Sequence, residues 1–268
     1  VTSVTTSPVE TAIRSAAAAG RAGALIGYLP VGFPDLASSI DAAVALVENG
    51  VDVLELGLPY SDPVMDGVAI QEATQKALQG GFRVRDVFTA VREVRRRVDA
   101  PVLVMTYWNP VVQYGLARFA DDLVAAGGAG LITPDITPDS GADWLAVSED
   151  RGLDRVFLAA PTSSDERLKL AAASSRGFVY TVSTMGITGA RTDVDAAART
   201  LASRLRGAGA QTVCVGIGIS TPAQVSEVLE YADGAIVGSA LVAALAKEGV
   251  PGVGRTAAAL SEGTRAAN

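Results

Sequence analysis

Apolar, β-branched runs recur along this chain at near-regular intervals, and longer stretches with helical spacing lie between them. The runs cover residues 24–30, 51–57, 101–107, 130–133, 156–160, 178–182, 212–216 and 235–238. They are apolar at nearly every position instead of every second one, the pattern of strands buried on both faces. Residues 36–48, 70–78, 84–97, 116–126 and 222–229 instead keep their apolar side chains on one side at a helical period. Eight strand-and-helix units within about 250 residues predict an α/β fold of the (β/α)8 TIM-barrel class. A doubly wound open sheet is the structural alternative. Residues 8–19 predict an extra N-terminal helix that closes the bottom of the barrel.

The beat is uneven after strands two and six. Both enlarged loops follow a strand, on the face where barrel enzymes carry their chemistry. The second, residues 183–193, is rich in Gly, Ser and Thr and reads as a lid. No shift in composition marks a boundary, so residues 1–268 are expected to form one domain, with 1–7 and 262–268 frayed. The basic run at 92–98 reads as a solvated helix face.

Composition changes the picture mainly by exclusion. A net charge of -7 argues against a nucleic-acid partner or an anionic membrane surface. No apolar run is long enough to span a membrane. The polar start lacks a secretory pattern, and the lone Cys214 sits in an apolar run as packing, so a cytoplasmic location is expected. The chain has no histidine, which leaves proton transfer near neutral pH to carboxylates, tyrosines or a few lysines. Lys76, Lys169 and Lys247 all fall in helical segments, which weakens a Schiff-base reading. A zinc aldolase would use histidine ligands, so no metal is expected. No Gly-x-Gly-x-x-Gly follows the first strand. Cofactor-free acid/base chemistry on a small phosphorylated substrate remains.

Glu55 ends a buried run and Asp66 lies on the loop after it, in Glu55-Leu-Gly-Leu-Pro-Tyr-Ser-Asp62-Pro-Val-Met-Asp66-Gly67. This makes them the first candidates for a paired acid and base. A salt bridge from Glu55 to an arginine, and turn formation by Asp62 and Asp66, are the structural alternatives. Gly216-Ile-Gly218-Ile-Ser220 and Gly238-Ser239-Ala240 close the last two strands, where barrels of this class hold phosphate on backbone N–H groups and a helix N-terminus. Gly189 adds a third possible N–H. Tight turns, and a cap from Ser220 or Thr221 on the helix at Pro222, are the alternatives here.

The Glu55–Gly67 motif, followed by Ile70-Gln71, resembles the signature of the tryptophan synthase alpha-subunit family. The likeness continues through Met105-Thr-Tyr107-Trp-Asn109-Pro110, Asp135, Tyr180, Gly186-Ile-Thr188-Gly189-Ala-Arg191 and the two glycine motifs, in the family's order. It implies retro-aldol cleavage of indole-3-glycerol phosphate to indole and glyceraldehyde 3-phosphate. It implies Glu55 as the principal acid/base, Asp66 as the carboxylate for the indole N–H, and Tyr180 as a further catalytic residue that positions Glu55 or the substrate. Tyr28, Met105 and Tyr107 would line the indole pocket, with interior packing as the alternative for Met105. Gly189, Gly218, Gly238 and Ser239 would hold the phosphate, and Thr188 would meet Asp66 on closure. Asp62 would face a beta subunit carrying pyridoxal phosphate, in an alpha-beta-beta-alpha assembly, with no cofactor on this chain. Tyr60, Met65 and Ile217 stand where the family usually has phenylalanine, alanine and phenylalanine. A phosphosugar isomerase or epimerase on the same barrel, and a non-catalytic barrel that activates a partner, are the competing readings.

Overall fold

The computed structural model describes residues 6–182, 191–216 and 218–266, with the backbone alone at 191–194. Its strands are β1 (Ala24–Pro30), β2 (Val53–Gly57), β3 (Val102–Met105), β4 (Gly130–Ile132), β5 (Asp154–Val156), β6 (Leu158–Ala159), β7 (Val179–Val182), β8 (Val213–Gly216) and β9 (Gly234–Val237). Every ladder between them is parallel. The order across the sheet is β5-β4-β3-β2-β1-β9-β8-β7-β6. Only Phe157 separates the two ends of that series. β5 pairs with β4, β6 pairs with β7, and Tyr180 N–H donates to the Phe157 carbonyl. β5 and β6 thus share one barrel position, and the nine segments make eight. Strand order follows chain order around the ring, which excludes the doubly wound alternative.

The helices are α1 (Pro8–Ala18), α2 (Leu36–Glu48), α3 (Val68–Gln79), α4 (Val84–Arg97), α5 (Trp108–Tyr114), α6 (Leu116–Ala126), α7 (Ala142–Arg151), α8 (Asp165–Ser174), α9 (Arg191–Gly207), α10 (Pro222–Leu229) and α11 (Ser239–Ser261). α4 shows why the period-based reading works: Val87, Val91 and Val94 are buried on one side while Arg92, Arg96 and Arg97 stay exposed. The helical period along the chain does not mark α5. Pro110 looks like a breaker, but it sits in the first turn, where a missing N–H removes no helical hydrogen bond. Nor does the helical period single out α7, whose buried face includes Ser148; that hydroxyl donates to the Trp144 carbonyl at 2.6 Å.

One cluster fills the barrel interior: Ile26, Val53, Leu103, Ile132, Val156, Phe178, Cys214 and Ile236. α1 seals its N-terminal end with Val9, Ile13 and Ala16, in the position expected for it. Described residues near both ends are tied to the barrel. Ser7 is buried, caps α1 and donates to Asp154 at 2.8 Å. Residues 262–264, expected to be frayed, form a short 3-10 turn. Its Thr264 is buried, and the Thr264 carbonyl accepts from Ala22 N–H at 2.8 Å.

Candidate active site

Side chains two positions apart on a strand share a face. Stepping two residues past the interior layer therefore points Tyr28, Glu55, Met105, Leu158 and Tyr180 into the C-terminal mouth of the barrel. The register places Tyr28 beside Glu55 on neighbouring strands. Glycines make room for the rings. A side chain on Gly57 would collide with the Tyr28 hydroxyl, and a Cβ on Gly216 would lie 2.6 Å from the Tyr180 hydroxyl. Gly216 thus serves ring packing, a purpose different from the turn or phosphate role expected of it.

Glu55 is 3% exposed, and its Oε2 finds no hydrogen-bond partner among the described residues. No ion pair from an arginine reaches it among those residues. Burial, and after it the charge of Asp66, push its carboxyl up to about 8. Asp66 is half-buried on the loop between β2 and α3. Burial raises it to about 6, against the opposing effect of a hydrogen bond from the Tyr107 hydroxyl. Tyr28 and Tyr180 are both pushed upward, first by burial and then by the nearby carboxylates. The mouth therefore holds one carboxyl that keeps its proton at neutral pH and one that has lost it, a division suited to acid/base work.

The loop bearing Asp66 is held from several sides. Tyr107 Oη accepts from Met65 N–H at 2.9 Å and donates to Asp66 Oδ1 at 3.4 Å. The Gln71 amide nitrogen Nε2 donates to the Asp66 carbonyl at 2.8 Å. The Tyr60 ring lies 5.4 Å from the Tyr107 ring, and Asn109 donates to the Tyr60 hydroxyl at 3.3 Å. Both Asp135 carboxylate oxygens accept from Trp108 N–H at 2.9 Å, at the start of α5. The sequence motifs include Gln71, Asn109 and Asp135 but give them no role; Asn109 and Asp135 act through contacts distant in the chain. Asp62 is exposed on the outer side of the same loop, where Ser61 donates to it at 2.7 Å. Met105 is only partly buried and packs against both the interior cluster and the outer core.

The two glycine loops differ. Thr221 caps α10 with Gln224 in a capping box, so the capping alternative holds there. α11 begins at Ser239 with Gly238 before it and no side-chain cap. Its first-turn N–H groups and the helix dipole form an anion cradle. A Cβ on Gly238 would lie 3.5 Å from both Tyr28 and Ile70, so the cradle adjoins the same mouth. Gly218 has φ +79°, a conformation that favours glycine, and a Cβ there would meet nothing within 4 Å. Thr188, Gly189, Ile217 and residues 183–190 of the lid expected at 183–193 lie outside the described residues, and the backbone of 191–193 opens α9.

The profile of the family described as "Tryptophan synthase alpha chain" matches residues 15–262. The tryptophan synthase alpha chain of Leifsonia xyli subsp. xyli is 75% identical over 242 residues, covering 90% of this chain and 93% of that one. The Mycobacterium marinum alpha chain is 53% identical over 245 residues, covering 91% and 90%. Among solved structures, Mycobacterium tuberculosis tryptophan synthase superposes with a TM-score of 0.92 at 50% identity, covering 98% of this chain and 100% of that one. The tryptophan synthase A-subunit of Pyrococcus furiosus gives 0.81 at 36% identity, covering 89% and 96%.

Proposed function

Because the chain belongs to the tryptophan synthase alpha chain family, we infer that Glu55 and Asp66 divide its chemistry between a proton carrier and a fixed charge. The chain is a carbon–carbon lyase of tryptophan biosynthesis. It cleaves indole-3-glycerol phosphate to indole and glyceraldehyde 3-phosphate. Glu55, protonated at rest, gives its proton to indole C3. The ring then carries positive charge, which the Asp66 carboxylate stabilises at the N–H. Glu55, now a carboxylate, takes the proton of the hydroxyl beside the breaking bond. The oxygen electrons form the aldehyde, the carbon–carbon electrons return to the ring, and Glu55 ends protonated again.

The observation that carries this reading is the buried Glu55 carboxyl, whose Oε2 has no hydrogen-bond partner among the described residues, held near 8 beside an Asp66 held near 6. Tyr180 packs beside Glu55 and supports it. Tyr28, Met105 and Tyr107 wall the indole. Gly218, Gly238 and Ser239, with Gly189, bind the phosphate through backbone N–H groups, and Thr188 meets Asp66 when substrate is bound. A beta subunit is the partner. Asp62, with exposed Val64 and Val68 beside it, faces that subunit. The assembly is alpha-beta-beta-alpha, with pyridoxal phosphate on the beta subunit, which receives the indole. Among the described residues no helix is long and apolar enough to cross a membrane.

The test mixes the purified chain with indole-3-glycerol phosphate, alone and with a tryptophan synthase beta subunit, and follows indole or tryptophan release. Cleavage that rises sharply with the partner is expected. A folded chain that cleaves nothing in either case overturns the reading and favours a sugar-phosphate isomerase.

A further inference from the structure

We propose that Tyr107 is a positioning residue whose hydroxyl, bonded to Met65 N–H and Asp66 Oδ1 at once, sets where the Asp66 carboxylate sits over the barrel mouth. The proposal rests on the reading of Asp66 as the charge-stabilising group.

The geometry separates this role from wall-making. A wall needs only the ring, yet the hydroxyl is placed where one oxygen accepts from one loop residue and donates to the next. These two contacts join the loop after β2 to the end of β3. The phenol has little freedom to drift. Tyr107 is the residue before α5, its carbonyl accepts from the Thr106 hydroxyl at 2.9 Å, and the next N–H is held by Asp135. On its outer side the ring meets Tyr60, which Asn109 fixes through its own hydroxyl. Asp66 otherwise stands on a loop whose other anchor, Gln71, grips its backbone carbonyl and leaves the carboxylate direction unset. Among the described residues the titratable groups facing Asp66 are Glu55 from β2, Tyr28 from β1, Tyr107 after β3 and Tyr180 from β7, while Asp135 after β4 faces Tyr107.

Tyr107→Phe keeps the ring and deletes the tether. Removing a donor from a carboxylate disfavours its charged form, so the acid limb of turnover should move to higher pH. In the full chain with its beta subunit, kcat should fall about tenfold, with KM changing less than threefold. On an Asp66→Asn background the same change should cost little more, because Tyr107 acts through Asp66. A carbon-13 NMR titration of the Asp66 carboxyl should show the upward shift without any turnover. That shift in a chain that cannot cleave indole-3-glycerol phosphate would keep the tether and reject the lyase reading. If Tyr107→Phe does not fold, 3-fluorotyrosine at position 107, a stronger donor, should move the Asp66 midpoint down. An unmoved midpoint in a folded variant, or full loss again on the Asp66→Asn background, overturns the proposal.

Discussion

Asp154 at the N-terminal end of the barrel and Glu55 near its C-terminal end are both buried carboxyl groups, but their surroundings differ. Asp154 accepts from the Ser7 hydroxyl at 2.8 Å and from Val9 N–H at 3.4 Å, and it pairs with Arg176 at 3.4 Å. Burial raises it, and these three partners pull it back toward its ionised form. The result fastens α1 across the barrel floor. Among the described residues Glu55 has Asp66 for an electrostatic neighbour and no cation to offset its burial. The same residue class thus serves cohesion at one end and proton storage at the other. A closed barrel can keep a buried acid poorly satisfied at its mouth because contacts elsewhere, such as the Ser7 and Arg176 contacts at the floor, hold the fold together.

Substitutions at the two ends should separate these roles. The largest effect on turnover belongs to Glu55→Gln, which keeps the shape and removes the exchangeable proton. Its kcat should fall by roughly 10²–10⁴, with binding of a non-cleavable substrate analogue intact. Retention of most of the rate would remove Glu55 as the proton carrier. The same variant should change the pH dependence of stability. A carboxyl raised from 4.5 to about 8 favours the folded state fully below its unfolded value. That contribution is lost as pH rises through 8 and is worth up to roughly 5 kcal/mol. Glu55→Gln should therefore gain on the natural chain in thermal unfolding at pH 9 relative to pH 5. An equal difference at both pH values would contradict the raised carboxyl.

Asp66→Asn comes next, with a loss of about 10–100-fold, since it removes a stabilising charge and leaves the proton carrier. Wild-type turnover in that variant would take Asp66 out of the mechanism. At the other end Asp154→Ala should cost about 3 kcal/mol of stability, because it leaves Arg176 and the Ser7 cap without their carboxylate. Turnover per folded molecule should hold, as read by active-site titration beside a denaturant melt. The smallest effect is Thr221→Ala, which removes the α10 cap for about 1 kcal/mol.

The barrel was legible in the sequence because its strands are buried on both faces and its helices on one, and α2, α4, α6 and α10 match their expected limits residue for residue. Glu55 was legible because a charged side chain near the end of an apolar run has few structural uses. What stayed hidden depends on contacts between distant residues. Nothing local in Trp108-Asn-Pro110 signals that Asp135 will hold the start of α5, or that Tyr107 will reach back to Met65 and Asp66. Ser7 and Thr264 looked like loose ends because their partners, Asp154 and Ala22, lie far away along the chain. Gly216 looked like a turn residue because a ring from the adjacent strand cannot be read from its own neighbours.

The most direct measurement is kcat/KM for indole release from indole-3-glycerol phosphate between pH 5 and 9.5, in the presence of the beta subunit. The account predicts a bell: activity falls below about 6 as Asp66 gains a proton, and above about 8 as Glu55 loses its own. A rate that stays level or climbs through pH 9 would mean that the ionised Glu55 begins the reaction, and would contradict the stored proton on which the mechanism rests.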